Sequence, residues 1–238
     1  MNPLKSALAL AASCAALASS GHAALTITND DIIDHSFTYT LTKTDMNTSA
    51  KFDADVFSTS GSGVTVRQEG TNPNNYTNTF IRANPDTAAK ATTTFTYAFD
   101  FSGTGHVATN VTFTDSFRLD VGTVGKTTVI SEYSTDGQNW TTITSLTSSG
   151  FATASASGKS FALEEVETVY YRVTFTGEAG FKGDYAQWNR NGPFTVTVAL
   201  QAIPEPATAT IAFAAAGAAA VVIGLGFRRL RLRPASKQ

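Results

Sequence analysis

One cysteine in 238 residues leaves nothing with which to build a disulfide framework or a multi-cysteine metal site. Charge is also scarce: Lys, Arg, Asp and Glu make up 15% of the chain, against about 25% in an average globular protein. Core formers are not scarce, since 42% of residues are hydrophobic and 11% aromatic. That balance excludes a disordered polyelectrolyte, which needs low hydrophobicity and high net charge. The histidines are His22, His35 and His106, and none stands in an H-x-x-x-H or H-E-x-x-H arrangement, so no zinc site is predicted. A G-x-S-x-G nucleophile elbow is missing too. Outside the two termini no segment carries the 3.6-residue apolar period of an amphipathic helix.

What is present begins with a secretory signal over residues 1–23. Lys5 supplies the positive start and Ala7 to Leu17 the apolar stretch. Gly21-His22-Ala23 places small residues three and one positions before a cleavage ahead of Ala24. A lipoprotein signal ending at Cys14 is the alternative, but Ala11-Ala12-Ser13-Cys14 lacks the usual leucine and leaves a short apolar region. Cleavage before Ala24 removes the cysteine and with it any thiol nucleophile.

The other end is more specific. Pro204-Glu205-Pro206 precedes Ala207 to Phe227, 21 residues without a charge. As a helix that run reaches about 31 Å, one bilayer core. Arg228, Arg229, Arg231 and Arg233 follow at once and act as a basic stop, since such a cluster stays on the cytoplasmic side. The predicted topology is a single pass with the N-terminus outside and the tail, 228–238, inside. This order of parts, from Ile203 to the C-terminus, resembles the PEP-CTERM sorting signal of Gram-negative bacteria. The resemblance implies an exosortase-type processing enzyme as partner, with Pro204, Glu205 and Pro206 as its recognition residues. It also implies a transient hold in the inner membrane, then delivery to the cell surface or the extracellular exopolysaccharide matrix. Ile203 stands where the family usually has valine.

Between the ends lies a predicted ectodomain, 24–202, with 203–238 as sorting segment. It holds 11 basic and 18 acidic residues, a net charge of −7, so nucleic acid is excluded as a partner for want of a basic footprint. Thr alternates with apolar residues in Phe95–Phe101, Val111–Thr114, Tyr171–Thr176 and Phe194–Val198. Such alternation places one face of a strand on a core and the other in water. Further strand candidates are 24–28, 35–42, 50–57, 63–68, 76–82, 116–121, 127–133, 139–146 and 161–163. Short strands between turn-rich breaks predict an all-β, antiparallel β-sandwich.

Within it, Asp136-Gly137 reads as a hairpin turn, because Gly takes positive φ at no steric cost and Asp tolerates it. Tyr133 and Trp140 flank that turn. The pattern Tyr133-Ser134, Asp136-Gly137, Trp140 resembles a hairpin of galactose-binding-like jelly rolls, and Val169–Thr176 resembles a late strand of that fold. This resemblance, over about 90–200, implies the jelly-roll type of sandwich, and a structural Ca²⁺ is common in it. Asp53 and Asp55 are candidate contributors, but no EF-type pattern follows and no ligand set is assigned. No other cofactor is predicted.

Gly103-Thr-Gly105-His-Val-Ala108 matches the dinucleotide pattern G-x-G-x-x-A, which requires a helix next. A strand pattern follows instead, so the segment is a hairpin loop. Glu164, Glu165 and Glu167 form an acidic cluster that suits a solvated turn; as facing carboxylates such residues would suit glycoside hydrolysis. The best ligand candidate is the loop 180–192, with Tyr185 and Trp188 among Asp184, Asn189 and Arg190. Flat aromatic faces with a polar rim suit a glycan. The competing reading has Trp188 plugging the sandwich and Arg190 capping a turn. The sequence therefore predicts an exported surface or exopolysaccharide-matrix protein that is not an enzyme. A carbohydrate-binding adhesion module using the 180–192 loop is the alternative, and a hydrolase of the lectin-like sandwich class comes third.

Overall fold

The computed structural model describes residues 23–42, 45, 50–61, 64–69, 78–83, 91–120, 127–177, 186–189 and 192–204. The alternating segments are strands. In chain order they are β1 (Leu25–Thr26), β2 (Ile32–Ile33), β3 (Ser36–Leu41), β4 (Ser58–Ser60), β5 (Val64–Glu69), β6 (Asn78–Ala83) and β7 (Ala91–Asp100). There follow β8 (His106–Asp120), β9 (Thr127–Ser134), β10 (Thr141–Ser148), β11 (Phe151–Val166), β12 (Thr168–Gly177), β13 (Ala186–Trp188) and β14 (Phe194–Ala202). One sheet runs β1-β7-β12-β9-β10 with β4 also on β7; the other runs β2-β3-β14-β8-β13-β6-β5 with β11 also on β8. Nearly all described pairings are antiparallel; β1 on β7 is parallel.

The two sheets close on an aromatic core. Phe95, Tyr97 and Phe99 of β7, and Val169, Tyr171, Val173 and Phe175 of β12, face it from one sheet. Phe113, Phe117 and Leu119 of β8, and Phe194, Val196 and Val198 of β14, face it from the other. The alternate residues are largely threonine and make the outer face. Thr92, Thr176, Thr128 and Thr147 form one row across four strands. Hydroxyls in that row meet at 3.3 Å (Thr92–Thr176) and 2.9 Å (Thr128–Thr147). A sandwich of this pattern explains the low charge: half of each strand is core, and the other half is β-branched hydroxyl rather than Lys or Glu.

The core also holds a carboxylate. Asp115 points inward from β8 and is 1% exposed. It accepts hydrogen bonds from the Tyr171 hydroxyl (3.0 Å) and the Ala156 backbone N–H (3.2 Å). The Tyr171 hydroxyl in turn accepts from the Trp188 indole N–H at 3.1 Å. Burial pushes the Asp115 carboxyl above its usual range, and these donors pull the other way.

Four features depart from the sequence reading. Residues 50–57, expected as strand, begin with a helix, α1 (Ala50–Asp55). Phe52 and Val56 are spaced for either period, and Phe52 is buried edge-on against Phe95 at 5.4 Å. The i,i+4 pair Lys51–Asp55 at 3.3 Å adds support to the helix. Val111–Thr114 and residues 116–120 of the second candidate belong to one strand, β8, interrupted in appearance only by the inward Asp115; residue 121 lies outside the described residues. β11 starts ten residues before 161–163, because its first half alternates with small residues rather than bulky ones. The short strands β2, β4 and β13 fall outside the strand candidates. Residues 1–22 of the predicted signal and the span 207–227 lie outside the described residues. Among the described residues no helix is long and apolar enough to cross a membrane.

Candidate functional site

The β9–β10 turn is held by its own side chains. Gly137 has φ +70, the left-handed value that the Asp-Gly pair predicts. The Asp136 carboxylate accepts from the backbone N–H groups of Asn139 (2.7 Å) and Gln138 (2.8 Å). It also accepts from the Asn139 amide (2.7 Å) and the Ser134 hydroxyl (2.9 Å). Ser134 returns the favour by accepting from the N–H groups of Asp136 and Gly137. These donors, the Asn139 N–H first, hold Asp136 well below the usual carboxylate range, so it is ionised throughout the neutral region.

This rigid turn forms one wall of a groove of about 390 Å³, and the end of β11 forms the other. Tyr133, Ala162, Leu163 and Val166 give it apolar surface; Thr135, Asn139, Thr141 and Glu164 bring hydroxyl, amide and carboxylate groups. The Tyr133 ring is fixed against Phe161 at 4.5 Å and Phe113 at 5.9 Å. Beside Glu164, Glu165 has φ +50 where the β11 register breaks between Ala162 and Val166. An apolar wall with a few convergent polar groups is the common form of a small-ligand site.

Trp140 emerges on the opposite side of the turn. The Arg172 guanidinium lies 3.9 Å from its ring centroid and pairs with Glu132 at 2.7 Å. Tyr170 meets Trp140 edge-on at 6.5 Å. The two flanking aromatics, Tyr133 and Trp140, thus serve different surfaces.

The 180–192 loop does not provide the expected aromatic platform at Trp188. That residue is fully buried among Phe95 (4.9 Å), Phe194 (4.9 Å) and Tyr171 (6.2 Å). Asn189 is buried as well, and its amide donates to the Leu41 carbonyl at 2.9 Å. Neither side chain faces solvent, so neither can take a sugar; Trp188 packs as the competing reading described, and Asn189, which that reading did not address, is buried beside it. Asp184, Tyr185 and Arg190 lie outside the described residues.

The other candidates resolve individually. Gly103 and Gly105 sit in the β7–β8 turn, and strand β8 follows, so the dinucleotide pattern has no helix. Asp53 and Asp55 lie on α1, where the Asp55 carboxylate accepts from the Tyr39 hydroxyl at 2.7 Å. Of the three glutamates, Glu164 lines the groove, and both it and Glu165 belong to β11 rather than to a turn. His35 and His106 come together at 6.1 Å beside Asn29, Ile32 and Asp34. Among the described residues, however, no group of three or more His, Cys, Asp or Glu could hold a metal. Sequence reasoning did not find the groove. It singled out the hairpin, but β11 supplies the second wall from more than twenty residues downstream.

No protein-family model matches this chain, and no curated protein matches it in sequence. Among solved structures the chain is similar to TmCBM61 in complex with β-1,4-galactotriose, at 11% identity and a TM-score of 0.34, over 60% of this chain and 86% of that one. It is similar to a family 35 carbohydrate-binding module from Clostridium thermocellum at 9% identity and a TM-score of 0.31, over 67% and 96%. A third similar structure is the isomalto-dextranase of Arthrobacter globiformis T6 complexed with panose, at 12% identity and a TM-score of 0.33, over 69% of this chain and 24% of that one.

Proposed function

We propose that this chain is an exported β-sandwich of jelly-roll type that binds a glycan at the cell surface, through the groove beside the β9–β10 turn. The groove carries the reading. Saccharides present C–H faces and hydroxyls together, and the lining matches both with apolar Tyr133, Leu163 and Val166 beside Thr135, Asn139 and Thr141. The turn is braced by the Asp136 hydrogen bonds before any ligand arrives, which spares the ordering cost of binding. Binding is favoured over cleavage because Glu164 is the one carboxylate among the described lining residues, whereas glycoside hydrolysis normally uses a facing pair. Neighbours that are distant in sequence, β7 beside β12 and β3 beside β14, support the jelly-roll topology.

Ala162 is exposed and lines the groove, so filling it tests the site without touching the core. In affinity electrophoresis of the full chain through gels of matrix polysaccharide, Ala162→Trp is expected to abolish retardation while leaving the melting temperature unchanged. Retardation equal to that of the parent would refute the groove.

Export and display rest on the sequence of the ends, which places Pro204-Glu205-Pro206 before a charge-free span and an arginine cluster. Glu205→Ala is expected to leave the chain unprocessed in the inner-membrane fraction. Undiminished surface delivery in that variant would reduce the tail to an ordinary anchor.

A further inference from the structure

We infer that the glycan taken by the groove carries free amines, as a glucosamine polymer does, and that acidic polysaccharides are excluded. This rests on the glycan-binding reading above and names its substrate class. The groove and its apolar wall make the site; the charges around it choose among sugars. Glu164 lines the groove and is exposed, and Glu165 and Glu167, within three residues of it in the chain, are exposed too. In the facing turn the Asp136 carboxylate is exposed. No Lys or Arg is among the described lining residues. Lys51 pairs with Asp55, and Arg172 with Glu132. The Lys159 ammonium donates to the Ile143 carbonyl and stands 5.5 Å from the Phe161 ring, behind the Tyr133 wall, and Arg118 lies over the Phe151 ring at 4.9 Å. None of the four lines the groove.

The described lining therefore carries one negative charge and no positive one, on a domain acidic overall by sequence. A uronate polymer would be repelled at every residue, and a neutral sugar would gain nothing from it. A sugar ammonium seated on the Tyr133 wall places its charge toward Glu164, an attraction that salt screens because both groups are near water.

The test is titration of the full chain, in mild detergent, with three oligosaccharides of equal length: glucosamine, its fully N-acetylated counterpart, and a uronate. Glucosamine is expected to bind at least about tenfold tighter than the N-acetylated twin at ~20 mM salt. The gap should shrink below about threefold at ~1 M, where screening acts over only a few ångströms. Glu164→Gln should close most of the gap, by weakening glucosamine far more than its N-acetylated twin. Equal affinity for the two sugars, a gap that survives Glu164→Gln, or tightest binding of the uronate overturns the amine assignment. Such results leave the groove itself standing, and Ala162→Trp decides that separately. Binding of none of the three overturns the assignment as well.

Discussion

Trp188→Ala is expected to destabilise the fold by about 3–5 kcal/mol, the usual range for deleting a large buried aromatic. Trp188 is fully buried, with Phe95 and Phe194 each 4.9 Å away, centroid to centroid. It sits on β13, a three-residue strand clamped between β6 and β8. So short a strand gains little from its own ladder, and the indole is the anchor that holds it in the sheet. The surrounding rings come from three strands, β7, β12 and β14, and cannot all collapse into the space left behind. A loss of that size is a large part of the total stability of a domain. Urea unfolding of the full chain measures it. A shift below about 1.5 kcal/mol would mean that the indole is not the plug described here. Whatever folded variant remains should retain its glycan affinity, because the groove lies on other strands.

Tyr171→Phe removes a single oxygen and is expected to cost about 1–3 kcal/mol, since it orphans the buried Trp188 indole N–H and takes one donor from Asp115, which keeps the Ala156 N–H. The hydroxyl accepts from the Trp188 indole at 3.1 Å and donates to Asp115 at 3.0 Å. Packing is almost unchanged, so the effect isolates the polar chain from the aromatic core around it. It carries a pH signature. Burial holds the folded-state pKa of Asp115 above its unfolded value, so stability is lost as pH rises through the folded pKa. Removing the Tyr171 donor raises that pKa further and deepens the loss. The penalty of Tyr171→Phe should be larger at pH 7 than at pH 4. A penalty that is flat or reversed across that range would show that Asp115 is not coupled to Tyr171.

Several elements were legible beforehand for physical reasons. β7, β12 and β14 alternate bulky apolar residues with threonine, and burial follows that alternation: β12 is inward at every second residue. The Asp136-Gly137 turn was legible because positive φ is nearly a glycine property, and Gly137 has it. Where the signal failed, local pattern was ambiguous or contrary. Phe52 and Val56 suit a helix as well as a strand, and α1 formed because Phe52 found Phe95 across the fold. Asp115 read as a break in a strand, yet β8 runs through it, since Tyr171 and Ala156 satisfy its oxygens from 56 and 41 residues away.

The site divides in the same way. The sequence by itself determined that the middle is a threonine-rich, acidic β-domain, because composition, charge and period are properties of the chain. It also marked the hairpin that bears half of the groove. Tertiary structure alone decided that Trp188 is core rather than platform, and that Glu164 faces the turn at 134–139. Periodicity tells which side of a strand is buried. It does not tell which strand lies beside it, and a groove made by two strands exists only once they are placed together.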